Sequence, residues 1–92
     1  MDKINQKTLK LLAQYIPIVA RVHGGSHPEF HEVHRIYDQI KEKIKNNKKP
    51  DLTKEFSDLR EITDNYKVPS DVCESYEAVY HMLAELDIAY HK

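Results

Sequence analysis

Tryptophan is absent, cysteine occurs once, glycine twice and proline four times in the 92 residues. A single thiol, Cys73, cannot close an internal disulfide, so the chain is not a disulfide-stapled scaffold. With so few turn formers, a β-sandwich lacks the punctuation its hairpins need, and the apolar content argues against a disordered tail. No apolar run approaches the length that spans a bilayer, so a helical integral membrane protein is not expected. Neither sign of charge dominates: 14 basic residues stand against 15 acidic ones, for a formal net charge of −1. That balance gives no reason to expect nucleic acid or an anionic membrane as target. Met1 is followed by polar and charged residues instead of an apolar targeting segment, so a reducing cytoplasm is the expected setting.

What is present fits one small helical domain over residues 1–92, with 40% apolar and 32% charged residues. A chain of this length buries a marginal core, and a partner would complete it. Six histidines let acidification carry the net charge from −1 to +5 once all are protonated. The plainer expectation is that they sit on solvent-facing helical surface with no regulatory use.

Residues 22–44 organise the rest. Gly24 and Gly25 cannot sustain a helix cheaply, so a first helix over residues 4–22 ends near His23, and Pro28 opens a second. Phe30, Val33, Tyr37, Ile40 and Ile44 then recur at steps of three and four, which places them on one stripe. In the first helix, Leu9, Leu12, Ile16, Val19 and His23 form one edge, and Leu11, Tyr15, Ile18 and Val22 the adjacent one. Pro17 falls opposite both, which predicts a kink with the proline turned to water. The NNKKP run at residues 46–50 stops the second helix and closes a cluster of five lysines between 41 and 49. Asp51 can cap a third helix with Leu52, Phe56, Leu59, Ile62 and Tyr66 inward, leaving Lys54, Glu55, Asp58, Arg60 and Glu61 for water. Ser70 or Asp71 caps a fourth, with inner residues Val72, Tyr76, Val79, Leu83, Leu86 and Tyr90. Four helices with short joints make an all-α, antiparallel four-helix bundle.

Few side chains carry chemistry. Asp87 falls on the inner side of the fourth helix, where a carboxylate requires a partner; His23, Tyr15, Tyr37 and Tyr80 are the candidates, in a pair that sets helix register or a remnant metal or proton site. His27, His31, His34 and Asp38 follow at steps of four, three and four along the second helix, a spacing that suits a transition metal. That stripe is offset from the apolar face, so solvated surface is the plainer reading. His81 is expected at the surface beside Glu77 or Glu85, and His91 at a frayed end. Cys73 begins the fourth helix beside the inner stripe and is expected as a small buried residue rather than a reactive thiol. Nothing in the spacing gives a nucleophile–base pair for hydrolysis, and no aromatic residues interleave with the lysines as a nucleic-acid platform needs.

The segment YIPIVARVHGGSHPEFHEVHRIYDQIKEKI resembles the second-helix region of the di-iron iron–sulfur cluster repair family, hemerythrin-like bundles of nitrosative and oxidative stress. LREITDNYKVPSDVCESYEAVYHMLAEL is similar to that family's last helical hairpin, including the spacing of Pro69, Cys73 and Tyr76. The resemblance implies a hemerythrin-like fold and two irons held by histidines and carboxylates from all four helices. His23 matches one ligand histidine. The first ligand position falls at Asp2, and Asn47 and Asp51 stand where a histidine–glutamate pair belongs. A segment carrying further ligands is missing ahead of Lys48, and the final ligand pair would fall just beyond Lys92.

The expected function follows from a retained scaffold with most ligands lost: a shortened relative of the repair proteins that acts by binding another protein. Iron remains possible by resemblance, in an alternative where an iron or zinc site around His23 and Asp87 is completed across a homodimer. An enzyme acting without metal has the least support, its sole acid–base pair being Asp87 with His23.

Overall fold

A computed structural model describes residues 6–91, and these form four helices with no strand among them: α1 (Gln6–His23), α2 (Glu29–Asn46), α3 (Thr53–Ile62) and α4 (Glu74–Tyr90). Asp2 lies outside the described residues. The all-helical architecture agrees with the periodicity of the chain, and α1 stops at His23, where the glycines begin. Pro17 lies inside α1 and is exposed.

One core joins the helices. α1 lies against α2 and α4, and α3 against α2. Leu12 and Ile16 of α1, Phe30, Val33 and Ile36 of α2, Phe56 and Leu59 of α3, and Tyr76, Val79 and Leu83 of α4 are buried. Burying side chains of this size is the main stabilising contribution to a domain this small. Ile36, absent from the expected stripe of α2, is as buried as Phe30, while Ile44 is only partly covered. The apolar face of α2 is therefore wider than a single file because α1 and α3 both pack on it.

Two joints depart from the expected pattern. α3 ends at Ile62, so Tyr66 is not its last inner residue. Asp64, Asn65 and Tyr66 instead take consecutive left-handed conformations, with φ of 52°, 60° and 64°. Such backbone is unfavourable for tyrosine above all. It is held by the buried Thr63 hydroxyl, which donates to the Leu59 carbonyl and accepts from the Tyr66 amide. α4 begins at Glu74 with Cys73 as the capping residue in extended conformation, later than a cap at Ser70 or Asp71. The capping residue of α3 is Leu52 rather than Asp51, whose carboxylate still accepts from the Thr53 amide at the helix start.

No described helix is long and apolar enough to cross a membrane.

Candidate functional site

The polar side chains of the bundle gather at two places on α4. The first is at its start. His23, in the last turn of α1, places Nε2 3.1 Å from the Cys73 Sγ, with the shared proton on either atom. Cys73 is exposed, which corrects the expectation of a small buried residue. It caps α4 from outside the core, and its side chain meets α1 at the rim. The edge of the His23 ring rests on Tyr76, with centroids 5.5 Å apart, and the His27 ring packs on the same tyrosine.

His27 is not on the α2 stripe. α2 starts at Glu29, so His27 belongs to the joint, and it is drawn inward instead of pointing to water. Its Nδ1 faces Glu29 Oε2 and its Nε2 faces Asp71 Oδ1, both at 2.9 Å. Two carboxylates on two ring nitrogens require both to donate, which is the imidazolium form. Burial pulls the His27 pKa down, but the hydrogen bonds and charges of Glu29 and Asp71 outweigh it and hold it above the ordinary value. Beneath lie the hydroxyls of Tyr76 and Tyr80, 2.9 Å apart in the core. Burial raises both phenols, so both stay protonated donors.

His31 and His34 are carried by α2 as expected. His31 is exposed, and its ring lies over Gly24, where a Cβ would collide with it. His34 Nε2 lies 3.6 Å from Asp38 Oδ2 one turn on. The four-residue stripe is thus broken: His27 turns to α4 and the other three stay on the surface of α2.

The second gathering surrounds Asp87, near the end of α4. Its carboxylate is 7% exposed and accepts from Arg60 Nη1 at 2.9 and 3.0 Å and from the Tyr66 hydroxyl at 2.7 Å. His91 Nδ1 stands 2.8 Å from the same carboxylate. Asp87 therefore does have the partner its burial demands, but not His23, Tyr15, Tyr37 or Tyr80. His23 and Asp87 lie at opposite ends of α4, about 20 Å apart by the helical rise. Arg60 is correspondingly not left for water, and His91 is tied to the helix rather than frayed. Burial and the charge of Asp87 push the Tyr66 phenol up, which keeps it a donor. Glu55 is another residue expected in water that is buried. Its Oε2 pairs with Lys43 Nζ at 2.8 Å, and its Oε1 has no hydrogen-bonding partner among the described residues.

A pair of irons, which the resemblance implies, needs inward donors from several helices. The polar atoms in the middle of this core are tyrosine hydroxyls bonded to each other, and among the described residues no three histidines, cysteines or acidic side chains gather to hold an ion. His23 spends its Nε2 on Cys73, Asn47 is the exposed cap of α2 and Asp51 accepts from the Thr53 amide at the start of α3. The described residues do not fit an internal two-iron centre.

What the start of α4 offers instead is an exposed thiol within proton-transfer reach of an imidazole. The pair joins residues fifty positions apart, so no local spacing reveals it. The available signal was that both terminate helices of nearly equal length, whose ends meet if α1 and α4 are neighbours.

Comparison with known proteins gives a distant relationship. The chain is 23% identical over 120 residues to the iron–sulfur cluster repair protein ScdA of Staphylococcus haemolyticus (strain JCSC1435), covering 95% of this chain and 54% of that protein. The chain thus spans about half the length of this curated relative. The aligned span is longer than the chain itself, so stretches of the relative have no counterpart here. No family model and no solved structure matches.

Proposed function

We propose that the chain is a shortened, hemerythrin-like antiparallel bundle of the iron–sulfur cluster repair lineage, kinked at Pro17, that acts by binding another protein. In this reading it works in the cytoplasm, in a nitrosative or oxidative stress response, and lacks a complete di-iron site. The carrying observation is the core: side chains of the bundle persist while its centre is closed by Phe30, Tyr76, Tyr80 and Leu83. The one histidine matching a ligand is turned to a thiol at the rim. The relationship to ScdA supports the lineage. Iron analysis of protein expressed in iron-supplemented medium tests it. Iron well below one per chain is expected, whereas about two irons with an oxo-bridge absorption band would end the reading.

One observation favours the alternative of an iron or zinc site completed across a homodimer. His23 and Cys73 present a nitrogen and a sulfur donor side by side at an accessible end. Asp87 does not join them within one chain, and Arg60, Tyr66 and His91 already surround it. Calorimetry with ferrous iron and with zinc on wild type and His23→Ala separates the two readings. Equal, weak binding by both proteins removes the alternative.

A further inference from the structure

A groove runs between the first turns of α1 and the last turns of α2. Leu9 and Lys10 line it from α1, and Tyr37, Lys41, Ile44 and Lys45 from α2; its volume is about 560 Å³ and it stands open to water. The floor is apolar, with Leu9 and Tyr37 buried and Ile44 partly covered. The Tyr37 hydroxyl donates to the Leu9 carbonyl, which ties one wall to the other and leaves the groove preformed. Tyr37, Lys41 and Lys45 follow at steps of four, so the α2 wall is straight. It runs about 12 Å by the helical rise, which matches about two turns of a docked helix.

Charge selects the occupant. The ion pairs of the bundle engage Arg35, Lys43, Lys54 and Arg60, whereas Lys10, Lys41 and Lys45 meet no carboxylate among the described residues. Lys41 lies over the Tyr37 ring, 5.6 Å from its centroid, and all three lysines are exposed. Two acids share the lining, and both are engaged within α2: Asp38 faces His34, and Glu42 accepts from the Asn46 amide. Three unanswered ammonium groups above an apolar floor are complementary to carboxylates carried on an apolar body. A small inorganic anion would leave the floor unused, and a fatty acid would leave much of its tail in water. An amphipathic helix satisfies both parts. Its apolar side chains reach the floor between the lysine stems, and its flanking glutamates or aspartates meet the lysine heads. We propose that the α1–α2 groove docks an acidic amphipathic helix of a partner protein. The proposal deepens the protein-interaction reading and rests on it only for the existence of a partner.

Fluorescence anisotropy of the full chain tests it with a labelled synthetic helix that carries leucine at steps of three and four and glutamate elsewhere. The same peptide with lysine for glutamate is the control. The glutamate peptide should bind at least about tenfold more tightly than the lysine peptide, and added salt should weaken it. The double variant Lys41→Glu/Lys45→Glu should lose about tenfold or more in affinity and Lys10→Glu about threefold. Lys67→Glu, which reverses an exposed charge outside the groove, should change nothing. Helical circular dichroism should be retained throughout, since these side chains already face water. A wild type that ignores the glutamate peptide, or binds both peptides alike, overturns the proposal. So does binding indifferent to the double variant, which would place the peptide elsewhere. Three other occupants would overturn it as well: oleate bound where the peptide is not, a doubling of mass abolished by the double variant, or peptide binding that begins only once residues 1–5 are removed. Iron content of the same samples keeps the readings apart. Iron-free protein that ignores the peptide removes the groove alone, and iron-loaded protein that binds it removes the metal-free reading alone.

Discussion

The two polar gatherings on α4 are built from similar parts and behave as opposites. Around Asp87 an arginine, a tyrosine and a histidine close on a buried carboxylate and answer it, with Arg60 and His91 reaching water at their outer side. Around Cys73 two histidines, two carboxylates and two tyrosines form a layer that opens at its rim on an exposed thiol. The first arrangement is what a buried charge needs in order to be tolerated. The second leaves an imidazole and a thiol side by side within reach of water. A buried carboxylate answered on every side by its neighbours is a structural feature, whereas a thiol and an imidazole left side by side at the surface can meet a ligand.

The contrast is sharpest under mutation. Asp87→Ala should have the largest effect, leaving Arg60 and Tyr66 without their acceptor. A loss of about 2–3 kcal/mol is expected, less than for a fully buried pair because Arg60 reaches water. Urea unfolding reads it, and a loss within error would show that the network is ornamental. Gly24→Ala comes next. A Cβ there would strike the His31 ring and the Ala20 carbonyl oxygen; the ring can move, the backbone cannot. About 1–2 kcal/mol should be lost, again by urea midpoint, and an unchanged midpoint would mean that the joint relaxes freely.

A smaller, pH-dependent effect is expected from His27→Gln. The folded-state pKa of His27 is raised above its ordinary 6.5, so its stabilisation is fully present below 6.5 and is lost as pH rises through the raised value. The midpoint difference between wild type and variant should be larger at about pH 5.5 than at about pH 8.5. A difference that grows with pH would contradict the imidazolium bridge between Glu29 and Asp71. The smallest effect is a gain. Gly25 has open space around its missing Cβ and no positive φ, so Gly25→Ala should stabilise by about 0.4–1 kcal/mol through the unfolded chain. Thermal melts of the two alanine variants side by side check whether adjacent glycines carry opposite signs.

Periodicity made most of the fold legible. Leu12 and Ile16, Phe30 and Val33, Phe56 and Leu59, and Val79 and Leu83 face inward as their spacing requires, because helical phase is a local property. The site was less legible. The inward place of Asp87 followed from phase, yet its partner Arg60 lies on a helix whose polar residues all looked solvent-bound, and Tyr66 reaches it through a left-handed turn that no hydrophobic count anticipates. Cys73 departs from its expected burial for a related reason. Its phase suits the core, but a residue ahead of the first helical turn does not follow the helix, and its extended backbone carries the thiol outward.

Sequence alone determined the four helices, the place where α1 must end and the apolar stripes that join them, since these depend on neighbours within a few residues. Tertiary structure alone decided that His23 meets Cys73, that His27 bridges two acids and that Asp87 is answered by Arg60 and Tyr66. Those pairings depend on which helix ends come together and at what height. That arrangement is settled by packing of the whole core, to which no single stretch of chain holds the key.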